Sequence, residues 1–138
     1  MIKFYSNIEL WILAGHSRAV SSLKIIEKNV LTSGSYDASI IIWDLENYAQ
    51  LKTLKDSTFI LDLKLIHDYL ASVLSDGTIK FWDTDTGSCL EKIEKKTTIL
   101  CNSQSCIWIE VKEIQDLICG FSDGTFKIFQ NISKFYVE

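Results

Sequence analysis

With 138 residues, 47% of them hydrophobic and 12% aromatic, the chain is long enough for one ordinary domain with a real core. Its formal net charge of -4 argues against a nucleic-acid or anionic-membrane surface, since phosphates attract clustered Lys and Arg, and Glu94 interrupts the longest basic cluster, Lys92 to Lys96. The start of the chain lacks an apolar signal core and no long apolar run follows, so neither a secretion signal nor a membrane span is expected.

The four cysteines, Cys89, Cys101, Cys106 and Cys119, are expected as free thiols of an intracellular protein, cytoplasmic with the nucleus as the alternative. There is no proline, so turns fall to Gly, Asp, Asn and Ser.

In chain order, Ile2 to Tyr5 and residues 8–13 read as two short strands. Val30 to Ser33 and Ile40 to Trp43 are short β-branched and aromatic strands. Phe59 to Leu65 alternates with period two, as does Cys106 to Val111. Ile79 to Trp82 and Phe126 to Phe129 repeat the β-branched and aromatic type. Asp76-Gly77 and Asp123-Gly124 are hairpin turns, because glycine reaches positive φ without steric cost. Lys95 to Ser105 reads as a loop extension. No segment has a helical period.

The strands belong to a repeat. Ser75-Asp76-Gly77-Thr78-Ile79-Lys80-Phe81-Trp82 returns as Ser122-Asp123-Gly124-Thr125-Phe126-Lys127-Ile128-Phe129, and more loosely at Ser35 to Trp43. The anchors Trp43, Trp82 and Phe129 recur about every 40 residues, the spacing of propeller blades. With Gly15-His16, Leu31 to Asp37, Trp43-Asp44, Leu70-Ala71-Ser72 and Trp82-Asp83, the chain resembles the WD40 family over nearly its whole length.

The resemblance implies an all-β fold: about three four-stranded antiparallel blades over 14–54, 55–94 and 95–137, preceded by a partial blade over 1–13. It also implies a buried hydrogen-bonded set of His16, Ser33, Asp37 and Trp43 in the first repeat. The second keeps Ser72, Asp76 and Trp82, with Lys55-Asp56 where Gly-His would stand. The third keeps Asp123, with Cys119 and Phe129 in place of serine and tryptophan.

Three blades are too few for a closed ring, which takes about four to eight. The expected partners are therefore other proteins: a second copy, another propeller-containing chain, or the rest of a longer propeller. By resemblance, partner contacts fall on loops holding Ser17, Arg18, Tyr36, Asp56 and Ser57. The expected function is an interaction scaffold or assembly subunit. The alternative is an enzyme or small-molecule binder using the propeller channel, where the inner strand of the second blade offers Asp62 and Lys64.

Chemical motifs are sparse. Gly15-His16-Ser17-Arg18-Ala19 approaches a nucleophile elbow but lacks the final glycine and a strand-turn-helix context. Cys101, Cys106, Cys119 and His67 lack zinc-site spacing, and Asp83 to Gly87 lacks the ligand spacing of a calcium loop. No catalytic residue, cofactor or metal is therefore expected. Trp11 and Trp108 lie outside the repeat signature, each a candidate core residue or interface anchor.

Overall fold

A computed structural model describes residues 9–66, 68–93, 106–113, 116–121, 124 and 126–129. The first blade comprises β1 (Val20–Glu27), β2 (Val30–Ser35), β3 (Ser39–Asp44) and β4 (Ala49–Lys55), antiparallel in that order. The second repeats it with β5 (Ile60–Ile66), β6 (Tyr69–Leu74), β7 (Ile79–Asp83) and β8 (Cys89–Ile93). The third sheet has three strands among the described residues: β9 (Cys106–Glu113), β10 (Asp116–Phe121) and β11 (Phe126–Phe129). The fold is thus all-β, built of antiparallel blades, and these residues form no closed ring.

Register equates the first two blades. Leu31 pairs with Trp43 as Leu70 pairs with Trp82. Leu23 lies opposite Ser33 as Leu63 lies opposite Ser72. The β2–β3 turn carries Ala38 at φ 67, where the later repeats place Gly77 at φ 86 and Gly124 at φ 87. An alanine there holds a left-handed conformation that its Cβ disfavours. After each Trp-Asp pair the aspartate closes the next turn. Asp44 Oδ1 accepts from the Glu46 amide at 2.8 Å, and Asp83 Oδ1 from the Asp85 amide at 2.9 Å.

The core lies in the seam between these blades, where Ile40, Ile42 and Leu54 meet Ile60, Leu63, Leu70, Leu74 and Trp82. Gly34 permits the contact, for a Cβ there would sit 2.6 Å from Ile60 Cγ2. Polar bonds cross the same seam: Ser21 Oγ donates to the Ile60 carbonyl at 2.5 Å, and the Leu63 amide to Ser22 Oγ at 3.2 Å.

The N-terminal stretch departs from the strand expected of it. Residues 9–13, part of the outer strand expected over 8–13, are not a strand. A strand exists only through a partner's backbone, and among the described residues no strand pairs with this stretch. Instead it crosses the first blade. Trp11 stacks on Tyr48 with centroids 4.3 Å apart and planes at 7°, and Gly15 lies against Ile41 and Trp43. Trp11 is exposed, so it is not a core residue. The remainder of the partial blade, His67 and residues 95–105 lie outside the described residues, as do the side chains of Cys106, Trp108 and Cys119.

Candidate functional site

The loop end of the first blade carries a continuous chain of side-chain hydrogen bonds. Trp43 Nε1 donates to Ser33 Oγ at 2.8 Å. Ser33 Oγ lies 2.7 Å from His16 Nε2, and His16 Nδ1 lies 2.9 Å from Asp37 Oδ2. Asp37, as a carboxylate, only accepts, so a neutral His16 carries its proton on Nδ1 and the Ser33 hydroxyl donates to Nε2. Every hydrogen in the chain then has an acceptor.

Ser17 contributes its amide to Asp37 Oδ2 at 3.0 Å, and Ser39 donates its hydroxyl to Oδ1 at 2.6 Å. Burial pushes the Asp37 pKa up. The bonds from Ser39, His16 and Ser17 together outweigh it and hold the carboxyl well below the usual range.

Ser33, His16 and Asp37 have the connectivity of a hydrolase triad. The surroundings are unlike one. Ser33 is buried, and its oxygen already accepts the indole N–H of Trp43. In this packing no acyl substrate reaches Ser33 Oγ, and the arrangement acts as a latch. It ties the incoming segment, through Gly15-His16, to the β2–β3 turn. Gly15 is required, because a Cβ would meet Trp43 Cη2 at 2.8 Å.

The second blade keeps one end of this chain: Trp82 Nε1 donates to Ser72 Oγ at 2.9 Å. Asp76 is exposed and accepts from the Thr78 amide at 2.9 Å. The place of His16 is taken by Asp56, and that of Ile41 by Lys80. These two form an ion pair at 2.8 Å, with the Asp56 side chain buried and Lys80 partly exposed. The Lys80 ammonium also lies 5.7 Å from the Trp82 ring centroid. Asp56 Oδ2 is buried without a hydrogen-bond partner among the described residues. The sequence shows that Gly-His is missing here; it does not show that Lys80 supplies the replacement partner.

In the third repeat Asp123 lies outside the described residues. Phe129 pairs with Leu117 through the backbone, and its side chain is not described.

Of the loop residues expected to meet partners, Arg18 and Tyr36 come together. The Arg18 guanidinium lies over the Phe59 ring, 4.7 Å from its centroid, and Tyr36 packs against Phe59 at 5.7 Å between centroids. All three are exposed. The Asp56 side chain is buried against Lys80, while Ser57 remains exposed and donates its amide to Asp56 Oδ1 at 2.7 Å. Phe59 belongs to this cluster although its sequence pattern places it only in a strand. It immediately precedes β5, at the repeat position that Ala19 holds before β1. An aromatic replacing alanine at a loop position is the signal that the sequence offers for it.

Beside the latch lies a pocket of about 310 Å³ lined by Ser17, Asp37, Ser39, Gln50, Thr53 and Asp56, among others. Among the described residues, no three His, Cys, Asp or Glu side chains converge as metal ligands. Asp62, the acid of the alternative channel site, accepts from Ser22 Oγ at 3.3 Å and from the Leu63 amide at 2.9 Å within the seam.

Repeated four-stranded blades, the first of them latched by a Trp–Ser–His–Asp chain, define a protein built of propeller repeats. The family model described as WD domain, G-beta repeat matches residues 7–44 and 49–83, more than half of the chain. The chain belongs to the WD-repeat family.

It is similar to "Pre-mRNA-processing factor 19" of Oryza sativa subsp. japonica, 34% identical over 88 residues, covering 59% of this chain and 17% of that protein. It is also similar to "Small ribosomal subunit protein RACK1" of Schizosaccharomyces pombe, 41% identical over 87 residues, covering 56% and 28%. "Cell division cycle 20.5, cofactor of APC complex" of Arabidopsis thaliana is 29% identical over 132 residues, covering 84% and 28%. The chain thus spans less than a third of the length of these relatives.

Proposed function

We propose that this chain is part of an interaction scaffold whose blades are completed laterally by further propeller blades, of a longer chain, of a second copy or of another protein. One contrast between the blades carries the reading. Leu63 and Ile60 on β5 are 1% and 0% exposed, because the first blade covers them. Their repeat equivalents on β1, Leu23 and Val20, are 57% and 51% exposed. Ile25 continues this apolar row, and Leu10 and Ile12 are exposed as well. Residues of one repeat position thus sit in a seam on one blade and open to solvent on the other. Contiguous apolar surface of this kind marks an association face.

The names of the relatives refer to a ribosomal subunit, pre-mRNA processing and a cofactor of a complex, which supports an assembly role. Cytoplasm and nucleus both suit it. The proposed partners are proteins, and the loops of Ser17, Arg18, Tyr36, Asp56 and Ser57 offer a second, independent contact surface.

A photo-crosslinking residue placed at Leu23, in cells, tests the lateral face. The expected product joins Leu23 to a propeller strand of a longer form of this chain, of another copy or of another protein, while the same residue at Leu90, exposed on β8, gives none. A free Leu23 face on a monodisperse monomer, with no such product, would overturn the reading.

A further inference from the structure

We infer that Arg18, Phe59 and Tyr36 form a recognition site for an acidic peptide segment of a partner protein, with Arg18 receiving a side-chain carboxylate. The inference takes from the scaffold reading only that the ligand is a protein. It does not depend on lateral association.

Arg18 is the sole arginine in the chain. Among the described residues its guanidinium has no carboxylate partner, although the chain is acidic overall. Its guanidinium lies over the face of Phe59. A guanidinium lying over an aromatic ring keeps its N–H groups directed outward, in the plane that matches a carboxylate. The stacking holds in place a side chain that would otherwise sample many rotamers, which lowers the entropy cost of binding.

The backbone beneath is fixed too. Ser35 Oγ donates to the Arg18 carbonyl at 3.2 Å, the Tyr36 amide donates to the Ala19 carbonyl at 3.0 Å, and the Ser17 amide is bound to Asp37. Nearby carboxylates do not compete. Asp37 is engaged by His16, Ser39 and Ser17, and Asp56 by Lys80.

Tyr36 and Phe59 straddle the seam between the blades and expose ring surface beside the cation. The site therefore matches a carboxylate followed by an apolar side chain. A nucleic acid also offers anions and stacking bases, but a single arginine in a chain of net charge -4 supplies too little phosphate neutralisation to favour it.

Because Arg18 is unique, its side-chain Nε–H gives one assignable resonance in a nitrogen-15 correlation spectrum of the full chain. The probes are the capped peptide Glu-Glu-Leu-Phe, its Gln-Gln-Leu-Phe counterpart and a phosphoserine version. The glutamate peptide is expected to shift the Arg18 resonance saturably. The glutamine peptide should bind about tenfold more weakly or worse, and so should the Arg18→Gln protein, followed there by the backbone amide of Tyr36. Arg18→Lys should restore only part of the affinity, because an ammonium lacks the planar fork.

Equal binding of the two peptides would overturn the assignment, as would absence of a saturable shift. Preferential binding of the phosphoserine peptide, or of a short single-stranded RNA added as competitor, would overturn the carboxylate commitment. A Leu23 face that yields no crosslink, which sinks lateral completion, leaves the Arg18 shift still expected if this inference holds.

Discussion

Replacing His16 with alanine removes the middle of the Trp43–Ser33–His16–Asp37 chain. The neutral bond to Ser33 contributes about 0.5–1.5 kcal/mol and the bond to the Asp37 carboxylate about 1.5–3. Allowing for water reaching Asp37, the loss is about 2–4 kcal/mol. The internal control is Asp76→Ala in the second blade, where an exposed carboxylate has a turn bond to Thr78 and costs about 0.5–1 kcal/mol.

Urea unfolding followed by tryptophan fluorescence and circular dichroism reads the difference. At an m-value of about 2 kcal/mol per molar, His16→Ala moves the midpoint by about 1–2 M. If His16→Ala falls within about 0.5 kcal/mol of Asp76→Ala, the latch contributes nothing beyond its turn and the reasoning fails.

Asp37 adds a pH dependence with a definite sign. Its native pKa lies below the ordinary value near 3.9, because its hydrogen bonds outweigh burial. Above that ordinary value its contribution to stability is fully present. As pH falls through it toward the lower native value, the unfolded state binds a proton first and the contribution is lost. Urea midpoints measured downward from about pH 5 should fall more steeply for the natural protein than for Asp37→Asn. Leu63→Ala should cost about 2–5 kcal/mol by urea unfolding, and the repeat-equivalent Leu23→Ala less than about 1, because only Leu63 is covered. Ala38→Gly should stabilise by about 1 kcal/mol in a thermal melt, since its φ of 67 is strained for alanine. Lys80→Met alone should cost about 3–5 kcal/mol by leaving the Asp56 carboxylate buried and unpaired. Adding Asp56→Ala should recover part of that loss, a double-mutant coupling of at least about 1 kcal/mol.

Much of the blade plan is legible in the amino-acid order alone. Trp43 and Trp82, each followed by Asp, mark the anchors, and the alternation of Phe59 to Leu65 marks an inner strand that forms as β5. The partners of His16, Ser33 and Asp37 are legible by family resemblance. The stretch 8–13 is not, because its composition suits a strand but strand pairing is a property of two segments. Phe59 is hidden for a related reason: a strand pattern carries alternation, not which ring lies under a distant guanidinium.

The amino-acid order was enough for the repeat, its turns and the residues able to latch the first blade, since these depend on local conformation and on side-chain chemistry at fixed spacing. The tertiary structure alone decided that Lys80 meets Asp56, that Arg18 lies on Phe59, and that Leu23 is open while Leu63 is buried. Each of those depends on which surfaces adjoin across a seam, and seams join residues far apart in the chain, where periodicity carries no information.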